Sequence, residues 1–166
     1  MMVLRNSFAA MAAVSVMFGA TLTQAEQKAE SGMDNMVSDN KIIELEKGHT
    51  VILISEKGIE TTDDPSGATN MTNNDCIGMF ESFPDNTYKG NGYCIETDKD
   101  GDKVFNRWTA SSDMKESRYE IVGGTGKFEG VNGGGTAVDT EISGGPQGRT
   151  VTRWKGTAEY PKLHKQ

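Results

Sequence analysis

Histidine is nearly absent from this chain: His49 and His164 are the only copies, and they stand far apart near the ends of the strand-forming region. That leaves little material for a zinc site or for a catalytic triad built on a histidine base. Cysteine is equally sparse, and Cys76 and Cys94 are too widely spaced for a C-x-x-C redox motif. Basic residues are in deficit, with 17 Lys and Arg against 24 Asp and Glu and a formal net charge of −7. The deficit argues against nucleic acid and anionic membrane surfaces as partners, and it suits a soluble exported protein. Beyond Leu22 there is no apolar run long enough to span a bilayer, and no stretch keeps a convincing helical period.

The N-terminus does contain an apolar run. Arg5 gives it a positive start, Phe8 to Leu22 form its body, and Thr23-Gln24-Ala25 supplies small residues around a cut after Ala25. This is the pattern of a secretory signal peptide over residues 1–25, which places the mature chain in the periplasm or outside the cell. A retained anchor fits less well, because the run is short and carries alanine, serine and threonine. Residues 26–40 are polar, mix both charge signs and show no sustained period, so they are read as a flexible leader. Residues 41–166 then form one domain.

Strand and turn signals fill that domain. Thr50-Val51-Ile52-Leu53-Ile54 is a β-branched run between Gly48 and Gly58, expected as a strand covered on both faces. Thr61 to Asp75 reads as a loop, from Pro65, Gly67 and its many Asn, Asp and Thr residues. In an exported chain two cysteines invite a disulfide, with two independent buried thiols as the alternative. If Cys76 and Cys94 oppose each other across an antiparallel hairpin, the turn centres on Asp85, where Pro84-Asp85-Asn86 is itself a turn sequence. A second hairpin is expected at Lys99-Asp100-Gly101-Asp102, with Asp-Gly at its centre. Its two-residue loop pairs Tyr93 with Trp108 and Cys94 with Arg107. The resulting meander carries Ile77, Met79, Tyr93, Ile95, Val104 and Trp108 on one face, and the disulfide with Phe80, Glu96, Phe105 and Arg107 on the other. Further strands are expected at Ser117 to Val122, Thr136 to Ile142 and Arg149 to Tyr160, with Thr152, Trp154, Gly156, Ala158 and Tyr160 sharing one face.

Between the first two of these lies Gly123-Gly124-Thr125-Gly126-Lys127-Phe128-Glu129-Gly130, followed by Gly133-Gly134-Gly135-Thr136. A phosphate loop is excluded because Gly126-Lys127 is followed by Phe128 instead of Ser or Thr, and the spacing from Gly126 to Gly130 misses the dinucleotide pattern. Asp98-Lys99-Asp100-Gly101-Asp102 resembles the start of a calcium loop, but Lys103 and Thr109 occupy positions where an EF-hand needs glycine and an acid. Neither a metal nor a cofactor is therefore expected.

The glycine-rich stretch resembles the corner of the allene oxide cyclase and dirigent β-barrels. The match covers about a tenth of the chain and leaves the catalytic and substrate residues of those families unaligned. It implies an all-β fold, a single antiparallel eight-stranded β-barrel of calycin-like form after the signal peptide. In that setting Gly123, Gly124, Gly126 and Gly130 allow the tight corner, and Phe128 plugs the barrel end. Cavity candidates are Glu96, Arg107, Glu120 and Arg153 as polar groups, with Tyr93, Trp108 and Trp154 as walls. The resulting expectation is an exported, non-catalytic barrel that binds a small hydrophobic ligand or serves a structural role, without membrane contact once the signal is removed. The alternatives are a cyclase or isomerase using the cavity with Glu96 or Glu120 as acid, and a homo-oligomer associating through a sheet face.

Overall fold

The computed structural model describes residues 27–143 and 147–163; residues 1–26, 144–146 and 164–166 lie outside the described residues, and with them the signal segment and His164. Nine strands follow in order: β1 Gln27–Ser38, β2 Lys41–Glu46, β3 His49–Thr62, β4 Thr72–Ser82, β5 Tyr88–Thr97, β6 Lys103–Ser111, β7 Ser117–Gly124, β8 Asn132–Ser143 and β9 Arg149–Glu159. Every pairing is antiparallel, and β1 joins both β9 and β3, which closes the sheet. β1 and β2 keep one register along β3, from Gly32 opposite Thr62 to Lys41 opposite Leu53, and act as one strand broken at Asp39-Asn40. The protein is thus a closed eight-stranded antiparallel β-barrel.

Residues 27–38 are therefore not a leader but the strand that closes the barrel. Their inward positions are Glu30, Gly32, Asp34, Met36 and Ser38, a mostly polar set that hides the two-residue period from any search for alternating apolar residues. β3 likewise runs on to Thr62, and only one of its faces is covered: Ile52 and Ile54 line the interior while Leu53 is exposed. Much of the outward apolar surface lies on β3, β4 and β5, in Leu53, Ile59, Ile77, Met79, Tyr93 and Ile95.

The β4–β5 hairpin has the register that the cysteines demand, with Cys76 opposite Cys94 and Ile77 opposite Tyr93. The disulfide links the two inner faces across a Cα separation of 4.1 Å. In the chain-entropy description, closing this segment stabilises the fold by about 3 kcal/mol. At the turn the Asn86 amide donates to the Phe83 carbonyl, and Asn86 itself takes φ 65°.

The β5–β6 hairpin differs from the expected one by a single residue. Its loop holds three residues, Lys99-Asp100-Gly101: the Asp98 amide donates to the Asp102 carbonyl, the Gly101 amide donates to the Asp98 carbonyl, and Gly101 alone takes φ 85°. This is a type I turn with a bulge glycine, whereas a two-residue loop would need positive φ at Asp100 as well. The Asp98 carboxylate selects it by accepting from the Asp100 and Asp102 amides at 2.8 and 2.9 Å. One residue of slip exchanges the two faces of β6. Trp108 now opposes Gly92 and Asn106 opposes Cys94, both pointing inward, while Phe105 and Arg107 point outward opposite Ile95 and Tyr93.

One end of the barrel is sealed by the glycine corner. A short 3-10 turn, Gly126–Phe128, drops Phe128 into a buried cluster with Val104, Val131, Ala158 and Tyr160. Gly126 holds φ 58°, and a Cβ there would sit 1.8 Å from the Asp102 carboxylate. Lys127 pairs with Asp98, and its amide donates to Asp102 at 3.1 Å, so the corner is tied to the β5–β6 turn. The aspartates that resemble a calcium loop are occupied by these contacts.

Candidate functional site

Above the Phe128 plug the barrel encloses a cavity of about 490 Å³. Its aromatic walls are Phe80 and Trp108, stacked with ring centroids 5.4 Å apart, and Tyr119 with Trp154, edge to face at 6.4 Å. Space for Trp108 is made by glycine: a Cβ on Gly92 would lie 2.5 Å from the indole ring. Toward the opposite end Ser38, Ile42, Ile52, Ser117 and Thr150 continue the lining.

Near the sealed end the lining becomes acidic. Glu60, near the end of β3, accepts a hydrogen bond from Thr69 in the loop that follows. Glu96, from the end of β5, accepts one from the Asn106 amide of β6. Asp34 accepts from Asn74 at 3.0 Å, and Asn74 lies opposite Glu96 in the β4–β5 ladder. Asp34, Glu60 and Glu96 are each less than a tenth exposed. Glu30 completes the floor, accepting from the Tyr160 hydroxyl at 2.6 Å.

Burial without a counter-cation governs the titration of this cluster. It pushes the Glu96 carboxyl up to about 8, with the Asp34 charge adding to the rise and hydrogen bonds from Glu60 and Asn106 opposing it. Glu60 is held well above the usual carboxylate range, first by burial and then by the charges of Glu96 and Asp34. Asp34 rises to about 6 through burial, moderated by the Asn74 hydrogen bond. Glu56, bonded to Ser38 at 2.8 Å, also rises through burial. Near neutrality the floor is thus a partly protonated network able both to donate and to accept hydrogen bonds.

Of the cavity candidates named from the sequence, Glu96, Trp108 and Trp154 line the cavity. Tyr93 is half exposed on the outer surface. Arg107 and Glu120 form an exposed outer ion pair at 2.5 Å, and Arg153 pairs outside with Asp63 at 2.8 Å. Asp34, Glu60, Asn74 and Asn106 also line the cavity, and no motif in the sequence marks them. The available signal was the placing of polar residues at alternate positions in β1 and β4, Glu30, Asp34 and Ser38 in the first and Thr72 and Asn74 in the second.

No protein-family model matches the chain, and no curated protein matches it significantly. Among solved structures it is similar to the pterocarpan synthase dirigent protein GePTS1, at 15% identity and a TM-score of 0.49 over 83% of this chain and 88% of that one. It is also similar to the pterocarpan synthase dirigent protein PsPTS1, at 16% identity and a TM-score of 0.49 over 82% of this chain and 97% of that one. The barrel architecture itself rests on the strand pairing described above.

Proposed function

We propose that this protein is an exported carrier or receptor that holds one small, largely apolar molecule inside its barrel without transforming it. The observation that carries this reading is the cavity of about 490 Å³, sealed at one end and walled by Trp108, Phe80, Tyr119 and Trp154. Its size lies in the range of small-molecule sites, roughly 300–1,000 Å³, and aromatic walls with a few convergent polar groups are how such sites fix a ligand. Export is part of the proposal and is supported by the N-terminal apolar run and the Cys76–Cys94 disulfide. Native mass spectrometry of residues 26–166, purified from an oxidising compartment without detergent, tests it. The expected result is a mass excess that vanishes on denaturation. A bare mass would count against a retained ligand and point to a structural role.

One observation favours a second reading, an enzyme of cyclase or isomerase type. Glu96 is a buried carboxyl with a raised pKa beside an apolar wall, which is what a general acid near neutral pH requires. If the retained molecule is turned over, Glu96→Gln is expected to slow turnover by about 100-fold or more while binding persists. Unchanged turnover in that variant would exclude this role for Glu96.

A further inference from the structure

The charge inside the barrel is of one sign. Glu30, Asp34, Glu56, Glu60, Glu96 and Asp139 line the cavity, and among the described residues no Lys, Arg or His does. Its other titratable groups are Tyr119 and Tyr160, whose hydroxyls are both raised by burial, and β4, β6 and β9 add only uncharged side chains such as Asn74, Asn106 and Thr152. The outer surface follows the opposite rule, with Glu120 paired to Arg107, Asp63 to Arg153 and Glu116 to Lys155. Each hydrogen bond described for the buried acids Asp34, Glu60 and Glu96 from Asn74, Thr69 and Asn106 comes from a neutral donor.

A second observation is independent of charge. Asn106 is 8% exposed and spends its amide N–H on Glu96, while its Oδ1, buried among the lining residues, has no hydrogen-bond partner. An acceptor left unsatisfied in this way costs about 1–3 kcal/mol, so the site favours an arriving N–H donor. The aromatic faces of Trp108, Phe80 and Tyr119 stand in the same cavity, and such faces attract a desolvated cation.

We propose that the molecule held here is an organic cation, a protonated amine on an apolar body, with its ammonium N–H groups at Asp34, Glu96 and Asn106. The inference rests on the ligand-binding reading above and names the ligand class of that same cavity. An anion would have to enter against six carboxyls, and a neutral molecule would leave the carboxyls to stay protonated. A cation instead supplies the missing countercharge, lowers the proton affinity of Glu96 and Asp34, and expels protons as it binds.

The test is isothermal titration of the intact protein with phenethylammonium and with its neutral carbon isostere, propylbenzene. At about pH 8.5, above the raised Glu96 and Asp34 values, the cation is expected to bind at least about tenfold more tightly, and at about pH 7, where Glu96 still holds its proton, its binding is expected to release protons, visible as a buffer-dependent heat. At about pH 5, where Glu96 and Asp34 are protonated, the preference is expected to disappear. Equal or tighter binding of propylbenzene at the higher pH would overturn the cation assignment and leave the cavity-binding reading standing. Binding of neither probe would overturn both. In Asp34→Asn and Glu96→Gln proteins shown to be folded by circular dichroism, the preference is expected to fall. An undiminished preference would overturn the placement of the head at these carboxyls, and the isostere comparison on the parent protein holds whether or not the variants fold.

Discussion

Raising the pH from about 5 to about 9 is expected to destabilise the barrel by several kcal/mol. The sign follows from the buried acids. Burial pushes the Glu96 carboxyl up to about 8 in the folded protein from an ordinary value of 4.5, and Asp34 up to about 6 from 3.8. In the window between those values the folded state holds protons that the unfolded chain has released. Stability therefore falls as pH rises through it and is fully retained below the ordinary carboxylate range. Glu96 alone accounts for a change on the order of 4 kcal/mol, a large fraction of the roughly 5–15 kcal/mol that a domain possesses. Exposed carboxylates act in the other direction: Asp63, Glu81 and Glu129 are held below their usual range by hydrogen bonds and nearby cations, and they lose that stabilisation only in stronger acid. The optimum is thus expected on the acid side of neutrality.

Urea unfolding followed by circular dichroism at about pH 5, 7 and 9 measures this directly. Glu96→Gln sharpens the test, because the amide oxygen can still accept from Asn106 and the amide nitrogen can donate to Glu60. The variant is expected to match the parent near pH 5 and to exceed its stability near pH 9. A parent protein as stable at the higher pH as at the lower would mean that the acid floor is hydrated or paired in solution.

Phe128→Ala is expected to cost about 3–5 kcal/mol of unfolding free energy, with little change in the urea m-value. Phe128 is 1% exposed, and its ring stands 6.2 Å from that of Tyr160 within the cluster that also holds Val104, Val131 and Ala158. Val104 and Ala158 belong to different strands and cannot collapse inward, since the barrel wall beside them is tied by continuous ladders. The void would therefore persist, which places the cost toward the upper part of the range for aromatic truncation. Loss of the plug would also join the acidic floor to solvent, so the raised titrations of Glu60 and Glu96 are expected to move back toward ordinary values. Phe128→Leu, which keeps most of the volume, is expected to cost about 1 kcal/mol. A loss below about 1 kcal/mol for the alanine variant would show that the corner does not seal the barrel.

Legibility of the fold varied with the kind of signal each segment carried. The β4–β5 register was readable because two constraints coincide there, a pair of cysteines and a turn sequence midway between them. The β5–β6 register was not, because Asp-Gly serves both a two-residue turn and a bulged three-residue turn, and the choice fell to the Asp98 carboxylate bonding two amides. That one-residue difference decides that Trp108 and Asn106, and not Arg107, enter the cavity. β1 was hidden because its inward face is polar. Burial in this barrel does not follow hydropathy: Glu60, Asn74 and Glu96 are inside while Ile59, Ile77 and Ile95 are outside.

From the sequence alone came the all-β character, the strand-turn rhythm, the cysteine pairing and the glycine corner around Phe128, since each depends on local backbone preference or on contacts spanning one turn. Tertiary structure decided the rest: which strand closes the barrel, which face of each strand is interior, and that Asp34, Glu60 and Glu96 share one floor. These acids lie on β1, β3 and β5, far apart in sequence, and what brings them together is the closure of β1 onto both β3 and β9. Closure is a property of the whole sheet, so no local pattern encodes the cavity that it creates.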